Sequence, residues 1–338
     1  MHQNQTMILA GDIGGTKTVL ALFSETEGIG TGPLYETRYP SKDYDSLESV
    51  IEEFLAKTAA IPSVACFGVA GPVDRQTSQI TNLPWQISAR SISDRFKIAE
   101  VTLINDLESI ATAVPYLDSE DLHTLNPGCA ERRGNIAVVA PGTGLGTAFL
   151  VWTGSGYKAL ASEGGHTSFA PRTPREVELL TYLQSRYRHV SFERLCSGRH
   201  LPNIYEFLLD TGEYYEPNWL TTELTQVQDK TPVIVQAALT QKAEICTATL
   251  DLFVSTLGTA ISNMAITILP RGGIYLGGGI PPRILPRLQQ EDFLEAVAHR
   301  GRFRDFSLKW PVHVILTPRT ALYGAALSAM EMSKARLD

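Results

Sequence analysis

The chain has 338 residues, 43 % apolar and 19 % charged, with a formal net charge of −7. That length allows two domains with separate cores, and the acidic balance is expected to exclude a broad nucleic-acid or anionic-membrane surface, either of which needs net positive charge. The four cysteines (Cys66, Cys129, Cys196, Cys246) are scattered without a CxxC or Cys/His cluster, so no structural zinc is expected.

The N-terminal stretch MHQNQTMILAGD has no basic leader and an apolar run too short for a signal peptide, which predicts a cytoplasmic protein. Residues 7–11 and 18–23 then flank a glycine turn, the signature of a hairpin. A helix is predicted over 46–57, where Leu47, Val50, Ile51, Phe54 and Leu55 share one face and Asp45 with Glu48 would form a capping box. Strands follow at 63–71 and 101–104, and a helix starts at Leu107 with Leu107, Ile110, Ala111 and Val114 as its apolar stripe. Residues 135–152 repeat the strand, glycine turn and strand, with Ala10 aligned to Ala140 and Gly14 to Gly144 at one offset, a weak internal repeat. Thr173-Pro174-Arg175-Glu176 carries helix-start chemistry. Leu201, Ile204, Tyr205 and Leu208 mark a helix over 199–209, and the polar stretch 210–231 reads as a surface excursion. A long helix is predicted near 233–268. Its segment 246–270 is membrane-like in length, but Asp251, Asn263 and many Ser and Thr residues predict a buried helix instead. A strand at 273–277 precedes the final helix, TALYGAALSAMEM, whose Ala321, Gly324, Ala325 and Ser328 form a small-residue stripe that allows close helix approach.

Three glycine loops at strand ends suggest phosphate chemistry. GDIGGTKT (11–18) lacks the last glycine of a Walker A loop, but Gly14 and Gly15 would let backbone amides approach a phosphate, and Thr16 adds a hydroxyl. Asp12 would repel a bare phosphate unless Mg²⁺ lies between them. PGTGLGT (141–147) has GxGxG spacing but leads into a strand, so a second phosphate cradle fits better than a dinucleotide fingerprint. In LGGGIPPR (276–283) the glycines would let an adenine ring lie on the backbone, and the two prolines suit a helix start. Asn105 and Asp106, where a strand meets a helix, suit either a helix N-cap or a binding role. Glu163, His166 and Glu193 offer the dense hydrogen-bonding capacity that a polyhydroxyl ligand needs.

The ordered set GDIGGTKT, IND, PGTGLGT, EGGH, ER, LGGGIPPR and TALYGAALSA resembles the bacterial glucokinases, members of the hexokinase, actin and heat-shock ATPase superfamily. The likeness spans nearly the whole chain. It implies an α/β fold of two ribonuclease-H-like domains (the actin-like ATPase fold) around a deep cleft, with residues 1–115 plus 319–338 forming the smaller domain and 116–318 the larger. It assigns Gly11, Asp12, Ile13, Gly14, Gly15 and Thr16, with Pro141–Gly146 (Gly142, Thr143 and Gly144 among them), to the ATP phosphates. Gly277, Gly278 and Gly279 fall to the adenosine side. It further implies that Asn105, Asp106, Glu163, His166, Glu193 and Gly144 meet glucose, with Asp106 as base and Asp12 holding Mg²⁺ through water. Helices at 107–114 and 320–330 would be paired connecting helices, and the protein a homodimer. Residues 170–192 contain no cysteine, which places the chain nearer the zinc-free branch than the related repressor-and-kinase group. Lys17 stands where family members often carry Asn and is given no role.

The implied reaction is MgATP-dependent phosphorylation of the glucose 6-hydroxyl. Mannose, fructose or an N-acetyl hexosamine are alternative acceptors. A non-catalytic sugar sensor would need a DNA-binding appendage, for which about ten residues before the first loop are too few. A heat-shock-like ATPase would need a separate peptide-binding domain.

Overall fold

A computed structural model describes residues 7–80 and 83–335. The first six residues, on which much of the reading of the N-terminus rests, lie outside them. The chain divides into two compact units, one of residues 1–117, 157–161 and 317–338, the other of residues 118–156 and 162–316.

The first unit is built on strands β1 (Met7–Ile13), β2 (Lys17–Ser24), β3 (Tyr35–Pro40), β4 (Val64–Val69) and β5 (Glu100–Asn105). Their order is β3-β2-β1-β4-β5, antiparallel across the hairpin and parallel from β1 through β4 to β5. Side chains alternate along each strand, so the sheet has two inner faces. Leu9, Ile13, Leu20 and Phe67 pack under helices Leu47–Thr58 and Ala89–Phe96, while Ile8, Ala10, Val19 and Cys66 pack under the helix Thr320–Ala335. Burial on both faces explains why β1 and β4 read as unbroken apolar runs.

Helix Leu47–Thr58 is capped by Ser46, whose hydroxyl accepts from the Ser49 amide, and not by the expected Asp45. The helix Asp106–Ala113 buries Ser109, Ala111 and Ala113, continued by Val114, while Leu107 and Ile110 remain only partly buried. Its partner explains the departure. At Gly324 of the helix Thr320–Ala335, a Cβ would stand 1.7 Å from the Ser109 carbonyl oxygen, and Ser109 Oγ donates to the Ala321 carbonyl at 2.5 Å. Contact this close admits Ser109 and excludes a leucine. Ser328, the last member of the predicted stripe, is partly buried.

The second unit contains β6 (Leu122–Asn126), β7 (Ile136–Pro141), β8 (Leu145–Trp152), β9 (Gly273–Leu276) and β10 (Val312–Ile315), in the order β8-β7-β9-β10-β6. As in β1, the first hairpin strand pairs antiparallel with its successor and parallel with a distant strand, the pattern expected from the weak repeat. Helix Pro174–Gln184 starts on Thr173 as expected. Glu176, however, is fully buried, accepting from the Arg172 amide and from Ser255 Oγ. The long helix predicted near 233–268 is two helices, Thr231–Leu239 and Glu244–Ile268. Between them Gln241 adopts φ +53°, with Lys242 N–H bonding Ala237 O and Gln241 N–H bonding Ala238 O, the paired bonds of a Schellman stop. Glu244–Ile268 is long and apolar enough to cross a membrane, yet 72 % of its most apolar window is buried within the protein. The polar stretch 210–231 contains a helix, Asn218–Gln226, that buries Leu220 and Leu224 in the core. After β9, Pro281 and Pro282 lie in a turn, and the next helix starts at Leu285 with Pro286 in its first turn.

Candidate active site

In the first unit, the turn Gly14-Gly15-Thr16 closes the β1–β2 hairpin. Gly14 N–H is engaged by Lys17 O at 2.9 Å, so that amide is not open to a phosphate. Ser41, which the sequence reading missed, braces the turn: its hydroxyl donates to Gly14 O at 2.7 Å and its amide to Thr16 O at 3.1 Å. Only its position after β3 could have hinted at this, because a single serine carries no motif. Asp12 lines a cavity of about 290 Å³ with Lys17, Glu36, Arg38 and Arg319. Burial raises the Asp12 pKa, opposed by Lys17, 3.9 Å away, and by Arg38.

Asn105 resolves the N-cap question. Its side-chain oxygen accepts from Leu107 N at 2.9 Å and its amide donates to Gly71 O at 3.0 Å, so Asn105 is the cap and also ties the strand end to a neighbouring loop. Asp106 is the first residue of the helix. Oδ1 accepts from Leu107 N at 3.0 Å. Burial, reinforced by the Asp12 carboxylate, pushes its pKa up to about 6, against the pull of the Leu107 amide. A carboxyl held there is half ionised near pH 6, the range that suits a general base.

In the second unit three predicted segments come together. The 3₁₀ turn Gly164–His166 packs on the β7–β8 hairpin so closely that a Cβ on Gly165 would lie 2.0 Å from Leu145 O. Phe192 N–H bonds Thr167 O at 3.1 Å, joining that turn to the Phe192–Arg194 turn that carries Glu193. Glu193 Oε2 accepts from Leu145 N at 3.0 Å, and a Cβ on Gly144 would stand 2.6 Å from the same oxygen. Glu163 and His166, whose Oε2 and Nε2 atoms lie 3.8 Å apart, are 83 % and 59 % exposed, so both remain available to a ligand.

Beside these turns a cavity of about 1010 Å³ is lined by Gly142, Thr143, Arg199, Lys230, Gly279 and Arg283 among others. Gly142 and Gly279 have open space where a Cβ would be, so no packing demands glycine there. Gly278 differs: its φ is +79° and a Cβ would meet Pro141 O at 2.6 Å, which makes it the turn residue that brings the third loop against the second. Gly277 N–H reinforces this with a bond to Val139 O. Arg199 and Lys230, which line this cavity with Arg283 of the third loop and with Glu206 and Asp229, were missed because they lie far apart in sequence, outside any motif.

Comparison with known proteins matches the glucokinase family model over residues 9–332. A glucokinase from Nostoc punctiforme is 37 % identical over 340 residues, covering 97 % of this chain and all of that protein. The crystal structure of a glucokinase from an Antarctic psychrotroph superposes with a TM-score of 0.85 at 32 % identity, over 97 % of this chain and 100 % of that one. A Balamuthia mandrillaris glucokinase, solved in complex with glucose, shares the fold at a TM-score of 0.80 and 22 % identity, over 96 % and 93 % of the two chains. The two-unit α/β architecture is therefore that of the actin-like ATPase fold. With nearly its whole length matched and relatives above 30 % identity, the chain belongs to the glucokinase family.

Proposed function

We propose that the protein phosphorylates the 6-hydroxyl of glucose with ATP, and that the Asp106 carboxyl, half-buried beside Asp12 with a pKa near 6, carries the reading. The hydroxyl oxygen attacks the γ-phosphorus, the bond to the bridging oxygen of ADP breaks, and the hydroxyl proton passes to Asp106. Phosphoryl transfer has a loose transition state, so Asp106 acts mainly by orienting the hydroxyl and accepting its proton late. Asn105, Glu163, His166 and Glu193 supply the remaining sugar contacts, with Gly144 beside Glu193. Charge on the transferred group is stabilised by the amides of Gly15 and Thr16 in the first loop and of Thr143 and Gly144 in the second, since Gly14 N–H and Gly142 N–H are engaged within their own hairpins, and Gly277–Gly279 border the adenosine. The Asp12 carboxylate, buried yet opening onto a cavity, fits the one or two carboxylates that Mg²⁺ usually takes from protein. When bound, Mg²⁺ would neutralise phosphate charge. The same proposal carries the cytoplasmic setting, the homodimer and the division at 1–115 with 319–338 and 116–318 that the resemblance implies.

The test is a coupled assay of ADP release with purified protein over a panel of hexoses. Turnover with glucose at the highest kcat/KM is expected. Turnover confined to mannose, fructose or an N-acetyl hexosamine would move the substrate assignment, and none with any hexose would end the kinase reading.

The nucleotide cavity has its own test. Gly279→Val should fold normally, with Tm within about 2 °C of the parent, because open space receives the side chain. The KM for ATP should rise by roughly tenfold or more, since about 1.4 kcal/mol of lost contact already gives that factor. An unchanged KM for ATP would remove Gly279 from the nucleotide site.

A further inference from the structure

The turn from Glu193 to His200 does more than present a carboxylate. It holds the glycine loop at three points: Glu193 Oε2 on Leu145 N at 3.0 Å, Gly198 N on Gly142 O at 2.7 Å and Arg199 N on Thr143 O at 3.4 Å. Both ends of Gly142–Gly144 are thus fixed by one short segment.

His200 sets the shape of that segment. Its Nε2 lies 2.9 Å from an Arg194 guanidinium nitrogen, which can only donate, so Nε2 accepts and the ring is neutral. Burial and the Arg194 charge hold the His200 pKa below its ordinary value, favouring the same form. The single ring proton therefore resides on Nδ1 and is donated to Ser197 Oγ at 3.0 Å. Ser197 in turn donates its own proton to Glu193 O at 2.8 Å. Every hydrogen in the relay from Arg194 to the Glu193 carbonyl has one direction.

We propose that His200 is a positioning residue that, through Glu193, couples sugar binding to nucleotide binding within the second unit. This rests on Glu193 as a sugar partner and Gly142–Gly144 as a phosphate loop. Glu193 has two carboxylate oxygens. Oε2 holds Leu145 N, and Oε1 is the acceptor for a sugar hydroxyl. A sugar on Oε1 fixes the carboxylate and with it the loop that receives the phosphates. By linkage, a nucleotide on the loop orders Glu193 for the sugar to the same extent. Without the relay each ligand keeps its own contacts, but ordering one no longer orders the other.

Calorimetry on the full chain tests this by comparing the Kd of Mg·AMPPNP with and without saturating glucose. In the wild type glucose should tighten the analogue by about fivefold or more, the lower end of ordinary site-to-site coupling. His200→Gln keeps an acceptor for Arg194 but loses the donor to Ser197, and its ratio should fall below about twofold. Ser197→Ala should do the same by a smaller change in packing. His200→Asn places an amide nitrogen near the Nδ1 position and should retain the wild-type ratio, a rescue that general loosening of the fold does not produce. Wild-type coupling kept in both His200→Gln and Ser197→Ala, loss of coupling in His200→Asn equal to that in His200→Gln, or a wild type without coupling would each overturn the proposal. A wild type that phosphorylates hexose yet shows one of these results leaves the kinase reading standing, whereas absence of all hexose turnover brings down both.

Discussion

Asp106→Asn is expected to lower kcat by about 10²–10⁴-fold, the usual contribution of a positioned general base, while glucose binds within about threefold of the parent. Asn keeps an oxygen for the Leu107 amide and a polar group for the sugar, but it cannot take the proton. The parent enzyme should show an acid limb in kcat/KM with a midpoint near pH 6, because the base must be ionised and burial has raised its pKa to about 6. The same raised pKa makes a second, opposite expectation for stability. Below about pH 4 the carboxyl is neutral in both folded and unfolded chains, and the native state is favoured. As pH rises through 6 that advantage is lost, because the unfolded chain ionises at lower pH than the folded one. A shift from 3.8 to about 6 corresponds to about 2–3 kcal/mol. Asp106→Asn should therefore raise Tm at pH 8 and leave it nearly unchanged at pH 3.5. A variant that retained more than about a tenth of kcat would take the role of base from Asp106, and a Tm that dropped at pH 8 would overturn the burial-raised pKa.

Gly324→Val should be the most damaging single change to the fold. The new Cβ would stand 1.7 Å from the Ser109 carbonyl oxygen and 2.5 Å from its carbon. Those atoms are helix backbone and cannot rotate aside. The helix Thr320–Ala335 would have to lift from the helix Asp106–Ala113, breaking the buried Ser109–Ala321 bond and opening the packing of Ala325 and Ala329 on the sheet. A cost of at least about 3 kcal/mol is expected, at the upper end of overpacking effects. Urea denaturation at pH 7 measures it, with Gly279→Val as the matched control in open space. A denaturation midpoint equal to the parent's would show that the helix pair adjusts, contrary to the geometry described above.

The elements legible in the sequence were those whose local signals agreed with their surroundings. Both glycine hairpins were readable because a turn residue and two apolar runs coincide, and Thr173-Pro174 because cap and first helical residue are both of preferred type. What escaped was decided by distant partners. Ser109 takes the core position in place of Leu107 because Gly324, more than two hundred residues away, brings backbone to backbone. The break after Leu239 is made by Gln241, where neither Gly nor Pro marks a stop. Glu176 carries helix-start chemistry in the sequence, but its full burial is not legible there, because it depends on the distant Ser255 as a partner. Among the site residues, the motifs at 12–16, 105–106, 142–144, 163–166 and 193 stood out by composition. Ser41, Ser197 and His200, which hold those motifs in shape, did not, since bracing residues need only one well-placed hydrogen bond.

The helix Thr320–Ala335 covers β1, β2 and β4 on one face of a sheet whose strands are all made before residue 106. On the ribosome, that face must wait for the roughly 200 residues of the second unit, about 10–40 s at ordinary elongation rates. Throughout that interval Ile8, Ala10, Val19 and Cys66 are left without their cover. A chain terminated anywhere before residue 320 is therefore expected to keep that apolar face uncovered, however completely the strands of the sheet have formed.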